Sequence, residues 1–123
     1  MRIVILGTPA PKARARTVVQ GGRAHSYTPK RTAEWEETVS WIATAHRPPS
    51  PLRGPLAVAM RFYLPRPKTA KRDIPRGDVD NYAKAVMDAC NGILWDDDEQ
   101  IVRLETSKEY GEPRVEMEVR EVG

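Results

Sequence analysis

Cysteine is nearly absent from this chain of 123 residues: Cys90 stands alone, so no internal disulfide can form and a reducing compartment is the expected setting. Histidine is almost as scarce. His25 and His46 lie far apart, with no cysteine or further histidine at ligand spacing, which argues against a zinc site. No apolar run approaches the roughly 20 residues of a membrane span, and MRIVILG has too short an apolar stretch for a signal peptide. A cytoplasmic protein with no membrane partner is therefore expected. There is no internal repeat, and the 11 prolines are dispersed rather than gathered in a low-complexity tract. The length fits a single domain over residues 1–123, with no linker.

Acid is missing from the beginning of the chain. No Asp or Glu precedes Glu34; residues 1–77 carry 15 Lys and Arg against 4 Asp and Glu, whereas residues 78–123 carry 5 against 13. The net charge of +3 conceals this division. A basic half joined to an acidic cluster is what a metal-dependent enzyme acting on a polyanion needs, because Lys and Arg hold phosphates while carboxylates hold the metal. Two solvated faces of opposite sign would give the same totals, so the positions must decide.

The acid concentrates in RGDVDNYAKAVMDACNGILWDDDEQ, from Arg76 to Gln100. A helix beginning near Asp80 sets Asp80, Lys84 and Asp88 on one face by the i, i+4 rule, with Val79, Tyr82, Ala83, Val86, Met87 and Cys90 as the apolar stripe opposite. Asn91-Gly92 is a stop signal. Ile93 to Trp95 then return apolar side chains to the core, which anchors Asp96 to Glu99 beside the helix. Asp78, Asp80 and Asp98 make a candidate divalent-metal site: carboxylate oxygens suit Mg2+ or Mn2+, and such sites take only one or two carboxylates per ion, leaving positions for phosphate and water. The stretch is not an EF-hand, since DVDNYAKAVMDA lacks glycine at its sixth position and glutamate at its twelfth. Nor does it fit an aspartate-nucleophile phosphatase, because IPRG rather than an apolar strand precedes Asp78. For Asp88, a direct role and a surface ion pair with Lys84 both remain open.

Two basic segments are candidates for gripping a nucleic acid backbone. Lys12, Arg14 and Arg16 alternate, so an extended backbone points them to one side, and Gly21-Gly22 predicts a tight hairpin that brings in Arg23. The loop from Pro65 to Gly77 carries Arg66, Lys68, Lys71, Arg72 and Arg76 against Asp73 alone, and leads directly to Asp78. Elsewhere, Arg2 to Gly7 reads as a buried strand. Thr28 as N-cap and Pro29 as first helical residue open a helix reaching about His46, with Trp35, Val39, Ile42 and Ala45 as its apolar stripe and Trp41 off it. Leu56 to Leu64 reads as a strand buried on both faces. Gln100 to Glu109 and Arg114 to Glu121 read as an edge hairpin, with Val115, Met117 and Val119 on its one buried face. The expected fold is α/β (α+β): a mixed sheet with two main helices.

DVDNYAKAVMDA followed by WDDDEQ resembles the RusA family of Holliday junction resolvases, the crossover junction endodeoxyribonucleases. That family's signature is D-x-D-N-x-x-K, a helix with a further Asp, and D-D-x-Q. GTPAPKARAR and the YTP before the first long helix are similar to its phage and prophage branch, although Ala15 stands where that branch often has proline. By position, the resemblance implies essential carboxylates at Asp78, Asp80 and Asp98, an essential lysine at Lys84, the motif asparagine at Asn81, and Asp97 as the other acid of the D-D pair and a further metal ligand. The additional Asp96 leaves the register of the third ligand open between Asp97 and Asp98. The implied activity is Mg2+-dependent resolution of four-way DNA junctions by paired symmetric nicks, with Mn2+ as a substitute ion and no small-molecule cofactor. Lys84 would contact the scissile phosphate or position the water. The expected DNA contacts are Lys12, Arg14, Arg16, Arg23, Lys68, Lys71, Arg72 and Arg76. One acidic site per chain and a two-fold symmetric junction imply a homodimer. A broader flap or fork nuclease, or a catalytically silent protein that binds branched DNA, would carry the same features.

Overall fold

A computed structural model of the chain describes residues 1–13, 16–27, 29–69 and 71–123, with backbone alone for 16–20 and 23–27. The elements in order are β1 (Arg2–Leu6), β2 (Arg16–Gln20), β3 (Arg23–Tyr27), α1 (Lys30–Ala45), β4 (Leu56–Leu64), α2 (Val79–Cys90), a 3-10 turn (Asp98–Gln100), β5 (Ile101–Tyr110) and β6 (Arg114–Glu121). Four strands form one sheet in the order β1-β6-β4-β5, in which β4 and β5 are parallel and the other neighbours antiparallel. This is the α+β arrangement with a mixed sheet and two helices that the sequence predicts. β2 and β3 form a separate hairpin around Gly21 and Gly22, whose φ values of 59° and 78° only glycine adopts without strain.

Parallel neighbours cannot be joined by a tight turn, and the chain from β4 to β5 accordingly makes a crossover through α2. The acidic motif therefore sits at both ends of the crossover helix, above the sheet. Beneath it, Leu56, Val58, Met60, Phe62 and Leu64 of β4 pack with Ile3, Ile5, Val115, Met117 and Val119, and the core is completed by Trp35, Val39 and Ala43 of α1 and Tyr82, Ala83, Val86 and Cys90 of α2. Burial pushes the Cys90 thiol up to about 12, so it packs as an inert apolar group, as its place on the stripe predicts. No helix among the described residues is long and apolar enough to cross a membrane.

Five sequence expectations are corrected here. β4 is covered by helices on one face only. Its other face carries Ala57, Ala59, Arg61 and Tyr63, and the small alanines disguise an alternating strand as a continuous apolar run. β1 is likewise half-buried: it is an edge strand, with Ile3 and Ile5 inward and Val4 and Leu6 exposed. The strands β5 and β6 are not a hairpin, because β4 lies between them. Their connection passes over the end of β4, where the Gly111 amide donates to the Leu64 carbonyl at 2.9 Å and a Cβ on Gly111 would come 3.0 Å from the Tyr63 ring. In α1 the buried positions are Thr32, Trp35, Val39 and Ala43, whereas Ala45 is exposed; the spacing of 3, 4 and 4 follows the helical period more closely. The N-cap expected at Thr28 lies outside the described residues, and Pro29 precedes the first helical residue rather than occupying it.

Candidate active site

The site begins at a glycine that the local packing requires. Gly77 has φ +92°, and a Cβ there would lie 2.9 Å from the Tyr82 ring. Tyr82 closes the same turn by donating its hydroxyl to the Arg76 carbonyl at 2.9 Å, while its ring packs on Phe62 in the core. From β5, the Lys108 ammonium donates to the carbonyls of Pro75 and Gly77 at 2.6 and 2.5 Å, and the Tyr110 hydroxyl to that of Ile74 at 2.9 Å. The arrival of the chain at Asp78 is thus fixed by the edge strand. The start of the same loop is held too, since the Arg66 guanidinium lies 4.4 Å over the Tyr110 ring. Between these anchors Lys68, Lys71, Arg72 and Arg76 are exposed, with no acid but Asp73 among them.

Asp78 is the N-cap of α2, but its carboxylate makes no capping bond. Asp80, in the first turn, accepts a hydrogen bond from the Asn81 amide at 3.0 Å and is exposed. Neither forms an ion pair among the described residues. One turn further on, the Lys84 ammonium lies between two carboxylates, 3.0 Å from Asp88 Oδ1 and 3.3 Å from Asp98 Oδ2.

Asp98 reaches Lys84 because its turn is tied down by Gln100. The Gln100 side chain accepts from the amides of Asp96 and Asp97 at 2.9 and 3.0 Å and donates to the carbonyls of Leu52 and Gly54 at 2.9 and 3.0 Å. Asp97 completes a capping box by accepting from the Glu99 amide at 2.9 Å. Asp97 therefore caps the turn and Asp98 faces α2. Below them, fully buried Leu94 and Trp95 hold the segment against the core, with the Trp95 indole donating to Asn91 Oδ1 at 2.8 Å.

The basic N-terminal segment enters the same region. The Lys12 amide donates to the Asn81 carbonyl at 2.8 Å, and its ammonium lies 2.6 Å from Glu36 Oε1 and 3.2 Å from Asp88 Oδ2. Glu36, Lys12, Asp88, Lys84 and Asp98 thus form an unbroken chain of alternating charge. The titration of Asp88, Lys12 and Lys84 follows. Burial disfavours the charge of Asp88, yet hydrogen bonds from Lys84 and Lys12 hold its carboxyl below the usual range. Burial acts against the charge of Lys12 as well, but hydrogen bonds to Glu36 and Asp88 raise it above the ordinary lysine value. Lys84 is raised by its hydrogen bond to Asp88, against burial and aided by Asp98.

Among the described residues, no three Asp, Glu, His or Cys side chains are gathered as they stand around one point that could hold a metal ion. In type, the donors Asp78, Asp80 and Asp98 fit a hard divalent cation, which needs only one or two carboxylates. Of the expected DNA contacts, Arg14 lies outside the described residues, and Arg16 and Arg23 are placed by backbone alone on β2 and β3. A surface concavity lies on the helix-free face of the sheet, among Arg2, Ala57, Ala59, Arg103, Glu105 and Glu118, away from the acidic motif. Glu36, Lys108 and Tyr110 escape a sequence reading because no local pattern links them to the motif. Gln100 had a signal, the D-x-x-Q capping box that begins at Asp97.

Carboxylates and a lysine on and beside a crossover helix, next to an exposed basic loop, are charges that suit a polyanionic substrate. The comparison with known families makes this specific: the profile of the family described as "Endodeoxyribonuclease RusA" matches residues 7–120, and the chain belongs to that family. Membership makes its class that of a DNA endonuclease. The chain is also similar to YqaN, an uncharacterised protein of Bacillus subtilis (strain 168), at 33% identity over 137 aligned positions that span 99% of this chain and 96% of the relative.

Proposed function

We propose that this chain is a structure-selective endodeoxyribonuclease that resolves four-way DNA junctions by paired nicks, acting as a homodimer with Mg2+, or Mn2+ in its place. The observation that carries the reading is Lys84 held beside Asp98 one turn into a helix that opens with Asp78 and Asp80, in a chain matched to the RusA family over almost all its length. Asp78, Asp80 and Asp98 would hold the cation, with Asp97 serving through the cap that orients Asp98. When bound, such an ion supplies Lewis-acid stabilisation of phosphoryl charge and lowers the pKa of a coordinated water. Lys84 supplies a positive charge for the scissile phosphate or a donor that orients the attacking water. Arg14, Arg16 and Arg23 of the N-terminal segment and Lys68, Lys71, Arg72 and Arg76 of the second basic loop neutralise backbone phosphates, and that anchored loop leads directly to Asp78. Since each chain has one such site, symmetric cuts on opposite strands require two copies related by a dyad.

The test is cleavage of a synthetic four-way junction beside a linear duplex of the same sequence, with and without Mg2+. The expected outcome is paired nicks in the junction alone, only with the ion, by a protein whose light-scattering mass is twice 13.9 kDa. Equal cutting of flaps or forks would make it a broader nuclease. Tight junction binding without cutting would make it a silent DNA-binding protein.

A further inference from the structure

Lys12 belongs to the basic segment, but its charge is already engaged. Its side chain is less than one-third exposed and its ammonium is shared between Glu36 and Asp88, in contrast to the exposed lysines and arginines of the 65–77 loop. The two oxygens of Asp88 are divided as well: Oδ2 takes Lys12 and Oδ1 takes Lys84. A carboxylate held from one side fixes the plane in which its other oxygen is offered. Lys84, on a flexible four-carbon stem, would otherwise have many rotamers open to it. The segment that carries Lys12 is itself secured, by its amide to Asn81 and by the Thr32 hydroxyl donating to the Pro11 carbonyl at 3.1 Å.

We propose that Lys12 and Glu36 are positioning residues that act through Asp88 to hold the Lys84 ammonium against Asp98. The inference rests on the nuclease reading for its kinetic consequence, but not for its geometry. Glu36 fixes Lys12, Lys12 turns Asp88, and Asp88 sets Lys84. Lys12 also offsets the charge of Asp88, which would otherwise repel an incoming phosphate. Lys12 thereby serves the chemistry of the site rather than the grip on DNA.

Lys12→Met keeps the length of the stem and removes the charge; Glu36→Gln removes only the anchor. Each is expected to lower kcat on the junction about 10- to 100-fold, the usual effect of losing an outer partner of a site, with KM unchanged and the melting temperature little changed. Lys12→Arg should recover most of the rate. The salt dependence of junction binding in EDTA separates this role from phosphate contact: Lys12→Met should keep the wild-type slope, whereas Arg72→Ala should reduce it by about 0.9. Glu36→Gln is the sharper variant, because removing an acid near DNA can only favour binding, so a fall in kcat cannot come from lost affinity. A reduced slope with unchanged kcat in Lys12→Met would overturn the proposal and return Lys12 to the phosphate contacts. An activity-independent readout is the 15N resonance of the Lys84 ammonium in DNA-free, metal-free protein, assigned by its absence in Lys84→Arg. It should shift or broaden in both Lys12→Met and Glu36→Gln, and an unchanged resonance would sink the coupling whatever the kinetics. If the resonance responds but wild type cuts no DNA, the coupling stands and the nuclease reading fails.

Discussion

The entry of the crossover helix and the turn docked beside its middle are held in opposite ways. At the docked turn, Asp98 is secured by four hydrogen bonds of Gln100 and a capping aspartate, and Lys84 is gripped between Asp88 and Asp98. At the entry, the backbone is fixed by Gly77, Tyr82 and Lys108, but the carboxylates of Asp78 and Asp80 have no cationic partner among the described residues. The contrast teaches a division of labour. The docked turn is preorganised by the protein for its own lysine; the entry leaves negative charge without a partner cation among the described residues, which on the proposed reading is where a metal ion would bind.

Neutralising the entry should have the largest effect. Asp80→Asn is nearly isosteric and is expected to abolish Mg2+-dependent junction cleavage, while junction binding in EDTA stays the same or tightens and thermal stability stays the same or rises. A loss of stability with cleavage intact would show that Asp80 is a structural ion-pair partner and erase the contrast. Loosening the docked turn should come next. Gln100→Ala removes the tie between the turn and the segment before β4, and is expected to cost about 1–3 kcal/mol in urea unfolding, with cleavage reduced but not lost. Full activity and stability would mean that the capping box holds Asp98 without help.

The smallest effect concerns pH. The Asp88 carboxyl is depressed in the folded protein, so its stabilisation is present above the unfolded carboxylate value and is lost as pH falls through the folded one. The two lysines are raised, so theirs is present below the unfolded lysine value and is lost as pH rises through the folded one. Melting temperatures of Asp88→Asn and wild type should therefore differ most across the neutral range, by the equivalent of a few tenths to about 1 kcal/mol for partly exposed pairs, and converge in acid. A constant difference at all pH would assign the effect of the substitution to packing.

What could be read in the sequence was local. The D-x-D before a 3.6-residue periodicity placed the acidic helix to within a residue or two, Gly21-Gly22 gave the hairpin, and the alternation in β6 gave its buried face. What could not be read were pairings between distant segments. Lys12 and Glu36 are 24 residues apart, and Gln100 reaches the Leu52 carbonyl 48 residues away; no periodicity records either contact. The β5–β6 connection shows the same limit. Gly111 and Pro113 announce a turn, but only the register of β4 against both neighbours reveals that a third strand occupies the space between. The candidate carboxylates were visible as residue types, whereas the charge chain that orders Lys84 depends on the fold.

The parallel pairing of β4 with β5 also bears on when a nuclease becomes dangerous. Asp78 and Asp80 lie at the start of a helix that can form from neighbouring residues, but Asp98 reaches Lys84 only after the chain has crossed over and Gln100 has found the carbonyls just before β4. Non-local contacts of this kind form late, after loop closure. A chain still emerging or partly unfolded carries all the acids of the site without their arrangement, so the capacity to cut would arrive together with the completed sheet and not before it.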